Sequence, residues 1–226
     1  MPRSNRIAPG GVIYHVLNRA NDRQTIFESD NDYLAFLKIM RMARLKNPMR
    51  ILAYCLMPNH WHLLLWPEED DDLSNFMHAI TSTHVRRWRT QRGTVGEGHV
   101  YQGPYKRFPV QDDEHFYTVC RYVERNALQV NLVDRAEDWR FGSLWQRNQQ
   151  ATPRFYPSLA AWPLPRPEGW IEHVNQPQSE SELAAIAECI ERSIPYGNPE
   201  WQKQTAKRMG IELTRRTSGR PKTKRE

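Results

Sequence analysis

Short apolar runs alternate along the chain with longer segments in which apolar residues recur at helical spacing. Runs rich in apolar and β-branched residues, bounded by turn residues, predict four strands, at 11–18, 50–56, 60–66 and 99–110. Apolar residues that recur every three to four positions predict three helices, at 30–47, 73–93 and 112–128. Asp30, and either Asp112 or Asp113, stand where helix caps are expected.

The order of these elements is strand, helix, two strands, helix, strand, helix. Strands and helices in this order predict an α+β fold of the ferredoxin-like kind, an antiparallel sheet with helices packed on it. After Trp139 the periodicity weakens and prolines become frequent, although 179–194 and 199–210 predict two more short helices. We therefore expect a first domain followed by a C-terminal extension.

The expected division is a folded domain at 1–147, a Pro-rich wrapping segment at 148–202 and a basic tail at 203–226. The chain of 226 residues has a net charge of +6, and the tail alone has nine basic residues against two acidic ones. Because the tail therefore accounts for +7, the rest of the chain is close to neutral. A basic tail with Gly and Pro favours a flexible arm that follows phosphates, although a solvated tail that only aids solubility is an alternative.

Cysteine content and the N-terminus indicate the compartment. Cys55, Cys120 and Cys189 are odd in number and form no C-x-x-C pair, which predicts reduced thiols rather than disulfides or a thiolate zinc site. The N-terminal apolar run is six residues long, too short for a signal-peptide core or a membrane span. We therefore expect a cytoplasmic, nucleoid-associated protein with no membrane partner.

Two histidines lie two positions apart in the third predicted strand. Alternate residues of a strand share a face, so His60 and His62 project the same way, roughly 7 Å apart, with Trp61 on the other side. Two imidazoles so placed can chelate a divalent ion, although packing or hydrogen bonding alone would explain the pair equally well. The apolar flanks favour the metal, because paired polar rings in a buried strand need a partner.

The helix predicted at 112–128 supplies a second set of polar groups. Tyr122 and Asn126 are one turn apart along one edge of its apolar stripe. A tyrosine at such an edge can present its hydroxyl to a cleft, and the Asn carbonyl can bind a hard metal ion. Alternatively, Tyr122 only packs and Asn126 only ends the helix. Tyr117 is a competing nucleophile on the opposite edge.

Several segments together resemble one known family. LMPNHWHLLLW is followed some sixty residues later by RYVERNALQVNLV and then by EDWRFGSLW, and these resemble the single-tyrosine HUH transposases, most closely the REP-associated tyrosine transposases. The order of GVIYHVLNRANDRQTIF, HWH, YQGPYKRF, RYVERN and SGRPKTKR spans most of the chain. The resemblance implies the HUH endonuclease fold, a metal ion held by His60 and His62, and Tyr122 as the nucleophile.

Two positions depart from the family pattern. Where related insertion-sequence transposases have a Gln metal ligand four residues after the tyrosine, this chain has the shorter Asn126, which we retain as a candidate third ligand. Many relatives read Asn-Pro after the tyrosine, whereas this chain reads Asn126-Ala127. That change should alter the end of the helix more than the chemistry.

The resemblance implies the reaction and the substrate. With Mg²⁺ or Mn²⁺, the tyrosine attacks a single-stranded DNA phosphate and leaves a 5′-phosphotyrosine and a free 3′-hydroxyl. The expected substrate is single-stranded DNA with hairpins, in particular repeated extragenic palindromes of a bacterial chromosome. Whether the protein acts as a monomer or a homodimer is left open.

Aromatic and basic residues provide candidate contacts to DNA. The candidate DNA-binding residues are Tyr105, Lys106, Arg107, Arg121, Arg216, Arg220 and Lys222. An ordinary edge strand is an alternative reading of the segment around Lys106. The remaining histidines, among them His15 and His84, show no ligand spacing with one another, and most are expected to be structural or surface groups.

Two other functions are compatible with the same residues. The first is a non-catalytic regulator, derived from a transposase, that binds DNA or RNA hairpins by shape and charge. The second is a metal-dependent hydrolase built from H-x-H on a strand. No later H-x-H or H-x-x-x-D cluster is present in the sequence, which argues against the hydrolase.

Overall fold

The computed structural model describes residues 8–96 and 98–211 and contains one four-stranded antiparallel sheet within them. The strands are β1 (Ile13–Arg19), β2 (Arg50–Met57), β3 (His60–Trp66) and β4 (Lys106–Val110). Their spatial order is β2–β3–β1–β4, so β3 and β1 are central and β2 and β4 form the edges.

Helices lie on both faces of the sheet and along the C-terminal part of the chain. They are α1 (Asp30–Lys46), α2 (Asp72–Arg92), α3 (Glu114–Gln129), α4 (Ser143–Arg147), α5 (Trp170–Asn175), α6 (Glu180–Arg192) and α7 (Pro199–Met209). In the described part of the chain, no helix is both long and apolar enough to span a bilayer. The expected α+β fold of the ferredoxin-like kind is confirmed by this order and topology.

Each face of the sheet has its own apolar core. Trp61 and Leu63 of β3 pack on the first face among the apolar residues of α1 and α2, which include Phe36 and Phe76. Leu64, one position out of phase, packs on the second face among the apolar residues of α3. The period of two along β3 therefore separates the residues that face α1 and α2 from those that face α3.

Two predicted boundaries are wrong. Only Lys106–Val110 of the predicted strand 99–110 is a strand, because Gly103 and Pro104 interrupt it and a proline has no N–H to donate to the ladder. The first part forms a loop held to the end of β1 by a bridge between Ala20 and Tyr101. The cap of α1 is Ser29 rather than Asp30, and its N–H donates to the Asp32 carboxylate at 3.2 Å.

The segment after α4 runs along both edges of the sheet. At the β2 edge, Ala160 N–H donates to Ile51 O at 2.9 Å. At the β4 edge, Tyr196 N–H donates to Pro109 O at 2.8 Å, and Tyr196 O accepts from Gln111 N–H at 2.9 Å. Backbone groups that an open sheet edge leaves unpaired are therefore satisfied by the extension.

His84 is a structural histidine in the core between α2 and the sheet. It is 3% exposed, and its Nδ1 lies 2.7 Å from the Tyr101 hydroxyl, which in turn accepts from Trp61 Nε1–H at 3.0 Å. Burial lowers the pKa of His84 to about 3, from its ordinary 6.5. Between those two pH values the unfolded chain binds a proton that the folded chain does not.

His84 therefore makes stability depend on pH. Its contribution is fully present above pH 6.5 and is lost as pH falls toward 3, at up to about 1.4 kcal/mol per pH unit. Between pH 4.5 and 6, we expect His84→Phe to reduce the slope of unfolding free energy against pH. The reduction corresponds to about one proton fewer taken up on unfolding. Urea denaturation over that range measures the slope, and an unchanged slope would show that His84 is protonated in the folded protein.

Candidate active site

Two histidines of β3 lie at the end of the sheet face that α3 covers. His60 is half-buried, His62 is 2% exposed, and their ring centroids are 5.1 Å apart. Both line a cleft of about 520 Å³ that lies between this face and the ends of α3 and α6. The shared face of His60 and His62 follows from strand alternation and agrees with the sequence-based prediction.

α3 places the tyrosine and the asparagine of the sequence motif at the same cleft. The Tyr122 ring lies 5.5 Å from the His62 ring, measured between centroids. The Asn126 side chain lines the same cleft, close enough to both His60 and Tyr122 to affect the pKa of each. Tyr117, the competing tyrosine, lies outside the cleft, since its hydroxyl donates to the Pro165 carbonyl. The structure therefore brings His60, His62, Tyr122 and Asn126 together.

The Asn59 side chain fixes which nitrogen of His60 carries the proton. Asn59 Nδ2 donates to the Arg23 carbonyl at 3.3 Å, which turns its Oδ1 toward His60. That oxygen lies 2.6 Å from His60 Nδ1 and accepts a hydrogen bond from Nδ1–H. A neutral His60 therefore keeps the lone pair of its Nε2 for another partner.

His15 and Arg19 of β1 belong to the site although they were not assigned to it from sequence. His15 is fully buried, and its Nε2 lies 2.9 Å from His62 Nδ1. Arg19 is exposed and pairs with His60 in the β1–β3 register. Both lie in the segment GVIYHVLNR, but an isolated histidine and a strand-end arginine have no spacing signal. Only the pairing of β1 with β3 brings them to the cleft.

Burial sets the charge state of the cleft. It lowers the pKa of His60 to about 4 and that of His62 well below its ordinary value, and the Arg19 charge acts in the same direction. Burial raises the pKa of Tyr122, while the Asn126 hydrogen bond and Arg19 oppose that rise. At neutral pH both imidazoles are therefore uncharged, and the positive charge of Arg19 faces the tyrosine.

The donor atoms of the cleft fit a divalent metal ion. Two neutral imidazoles and an amide oxygen of Asn126 suit an ion that accepts both nitrogen and oxygen, such as Mn²⁺ or Mg²⁺. Within residues 8–96 and 98–211 there is no group of three or more His, Cys, Asp or Glu side chains that could hold a metal ion.

His60, His62, Tyr122 and Asn126 lie within the part of the chain that a family model matches. The family described as IS200-like transposases matches residues 10–126, which is more than half of the chain. The chain belongs to the IS200-like transposases. The match extends from the turn before β1 to Asn126 and so includes every residue of the cleft discussed above.

Two individual comparisons agree with the family. A protein of Haemophilus influenzae, provisionally named a REP-associated tyrosine transposase, is 24% identical over 104 residues, which cover 42% of this chain and 59% of that relative. A solved structure of a REP-associated tyrosine transposase bound to a REP hairpin superposes with a TM-score of 0.52 at 19% identity. That superposition covers 70% of this chain and 92% of the solved one, and it shows a shared fold.

The basic residues expected on DNA occupy different environments in the structure. Lys106 is exposed and lines the cleft, whereas Arg107 is 7% exposed on the opposite face, 5.7 Å from the Tyr14 ring. Tyr105 lines a neighbouring groove that shares the 102–104 loop with the cleft. Arg216, Arg220 and Lys222 lie outside the described residues. Strand alternation accounts for the separation of Lys106 from Arg107.

Arg121 is a structural residue rather than an exposed DNA contact. It is 6% exposed, and its Nη2 donates to the carbonyls of Gln176 and Pro177 at 2.8 and 3.0 Å. It therefore ties α3 to the segment between α5 and α6, and its guanidinium does not line the cleft. No local sequence pattern predicts this contact, because none places the C-terminal extension against α3.

Lys106 and Arg121 should differ in their effect on folding. Arg121→Met leaves two carbonyls without a charged donor, and we expect the free energy of unfolding to fall by about 2 kcal/mol. Lys106→Met, on an exposed side chain, should change it by less than about 0.5 kcal/mol. Urea denaturation of both variants checks the difference, and equal values would contradict a structural role for Arg121.

Proposed function

We propose that the protein is a metal-dependent single-stranded DNA transesterase that cuts hairpin-containing DNA with Tyr122. The observation that carries the proposal is the cluster itself, in which the Tyr122 ring lies 5.5 Å from the His62 ring and shares one cleft with His60 and Asn126. A nucleophile, candidate metal ligands and a cationic side chain at one cleft are the parts that phosphoryl transfer to a tyrosine requires. Membership of a transposase family supports this reading.

The proposed substrate is a hairpin of repeated extragenic palindrome DNA with an adjacent single strand. Support comes from the solved transposase with the same fold, which is bound to a REP hairpin, and from the name of the Haemophilus relative. The cleft is also open at the surface, and Arg19 and Lys106 at its rim are exposed cations that suit phosphates. A single strand can reach such a cleft more easily than a duplex can.

Tyr122 carries the covalent step. Its Oη forms a bond to the scissile phosphorus while the bond from phosphorus to the 3′-oxygen breaks, which yields a 5′-phosphotyrosine and a free 3′-hydroxyl. The phenolic proton leaves to solvent, and the departing 3′-oxygen gains a proton. Burial raises the pKa of Tyr122 and disfavours the phenolate, and Asn126 and the Arg19 charge act against that rise. The linkage keeps the phosphodiester energy, so another 3′-hydroxyl can reverse the step.

His60, His62 and Asn126 would hold the metal ion. When bound, a divalent ion polarises the scissile phosphate and offsets the negative charge that develops on it. His60 and His62 contribute neutral nitrogen donors because burial lowers the pKa of both rings. Arg19 and Lys106 then orient the DNA backbone from the rim of the cleft.

Replacing the nucleophile tests the covalent step. Tyr122→Phe removes only the phenolic oxygen, so we expect it to abolish the protein–DNA adduct that survives denaturation while hairpin affinity changes by less than about threefold. Tyr117→Phe is the matched control, because the Tyr117 hydroxyl bonds to Pro165 O outside the cleft. Adduct formation is followed on denaturing gels with a labelled single-stranded hairpin and Mn²⁺.

Three results would count against parts of the proposal. An adduct that persists in Tyr122→Phe and disappears in Tyr117→Phe would make Tyr117 the nucleophile. A wild-type protein that binds the hairpin tightly but forms no adduct with Mg²⁺ or Mn²⁺ would identify a hairpin-binding regulator instead. Adduct formation in excess EDTA would remove the metal ion from the mechanism.

Asn126 tests the ligand set. If its amide oxygen binds the ion, Asn126→Ala should raise the Mn²⁺ concentration for half-maximal cleavage by roughly ten to a hundredfold, and Asn126→Asp should retain activity. Gln129→Ala, one turn along the same helix, serves as the control. A lowered melting temperature with an unchanged Mn²⁺ titration would leave Asn126 with a structural role only.

A further inference from the structure

The buried contact between His15 and His62 joins two strands beneath the cleft. His15 on β1 and His62 on β3 are diagonal neighbours on the face that packs against α3, since Leu17 is the residue opposite His62. Their bonded nitrogens are 2.9 Å apart, and neither side chain is more than 2% exposed. The His15 ring also packs against Phe108, with centroids 4.7 Å apart. The ring of His15 is therefore fixed on two sides.

One proton is shared in this contact, and its position decides what His62 can do. At 2.9 Å one of the two nitrogens donates its N–H and the other accepts with its lone pair. If His62 Nδ1–H donates to His15 Nε2, then His62 Nε2 keeps its lone pair and can bind a metal ion. If His15 Nε2–H donates instead, His62 Nε2 carries a proton and cannot.

The second nitrogen of His15 indicates why a histidine stands at this position. His15 Nδ1 is buried and has no hydrogen-bond partner among the described residues. A buried polar nitrogen without a partner destabilises the folded state, a cost that a Phe or Leu of similar size would avoid. Packing alone therefore does not favour a histidine here, whereas the bond from its Nε2 to His62 does.

His60 shows the same arrangement with a different partner. Asn59 Oδ1, oriented by its own bond to the Arg23 carbonyl, accepts from His60 Nδ1–H and leaves Nε2 available. Both imidazoles of the H-x-H pair thus have Nδ1 engaged by a side chain. A metal ion between them would use Nε2 of each ring.

We propose that His15 is a positioning residue that holds His62 in its Nδ1–H form and fixes the ring so that Nε2 can bind the metal ion. This inference rests on the metal site of the proposed function. His15 itself does not touch the ion or the DNA. Its role resembles that of groups which engage the far nitrogen of metal-binding histidines in other proteins.

The protonated nitrogen can be observed without any metal ion or DNA. Long-range ¹H–¹⁵N correlation spectra of metal-free, ¹⁵N-histidine-labelled protein distinguish an Nδ1–H ring from an Nε2–H ring. We expect His62 to be Nδ1–H in the wild type and to shift toward Nε2–H in His15→Phe, which keeps the ring shape without nitrogens. A wild-type His62 protonated on Nε2 would overturn the proposal.

Metal affinity supplies the second measurement. Titration of the metal-free protein with Mn²⁺, followed by electron paramagnetic resonance of the free ion, gives Kd without DNA. We expect His15→Phe to raise Kd by roughly ten to a hundredfold, and His15→Gln, whose amide can accept near the position of Nε2, to recover most of the loss. His84→Phe is the matched control, since it removes a buried histidine and its hydrogen bond on the other face of the sheet.

The outcomes separate this inference from the proposed function. Equal Mn²⁺ affinity in the wild type and in His15→Phe, with both proteins folded by circular dichroism, would overturn the role of His15 alone. A wild type that does not bind Mn²⁺ would overturn the metal site and with it this inference. Loss of affinity in His84→Phe as large as in His15→Phe would reduce the effect to general destabilisation.

Discussion

The structure of the cleft depends on one constraint, the burial of polar imidazoles in a central β-strand. β3 has a neighbour on each side and helices on both faces, so only 2% of His62 is exposed. A polar ring in that position must find its partners within the protein. His15 satisfies one nitrogen of His62, and the cleft leaves the other available to a ligand. His60, two residues closer to the open end of the strand, meets the same requirement through Asn59.

The position of the nucleophile depends on how firmly α3 is held, and the C-terminal extension contributes much of that. Glu124, 3% exposed and on the far side of α3 from the cleft, accepts hydrogen bonds from Ser143 Oγ at 2.7 Å and from Trp170 Nε1 at 2.8 Å. Arg121 adds two bonds to backbone carbonyls between α5 and α6. α6 in turn lines the cleft through Ile190 and Glu191. The extension therefore holds α3, which carries the tyrosine, and forms one wall of the cleft that the tyrosine lines.

Sequence patterns predicted the features that depend on local periodicity. The shared face of His60 and His62 and the edge position of Tyr122 follow from a period of 2 in a strand and of 3.6 in a helix. The roles of His15 and Arg121 depend on which strand lies beside β3 and where the extension packs, and neither is encoded in local spacing. The separation of Lys106 from Arg107 was within reach, because adjacent strand residues face opposite sides once the strand is correctly bounded. The interruption at Pro104 obscured that boundary.

Burial acts in opposite directions on the groups of the proposed mechanism. It lowers the pKa of His60 and His62, which keeps both rings neutral and suited to bind a cation. The same burial raises the pKa of Tyr122 and makes its reactive phenolate less accessible. Burial that keeps the imidazoles neutral therefore also makes the phenol a weaker nucleophile, unless positive charge lies near it. Arg19 provides part of that charge from β1, and a cation bound by the two histidines would add to it. A metal site and a tyrosine nucleophile would therefore benefit from sharing one cleft. The charge of the bound ion would lower the pKa of the tyrosine, which burial in the same cleft raises.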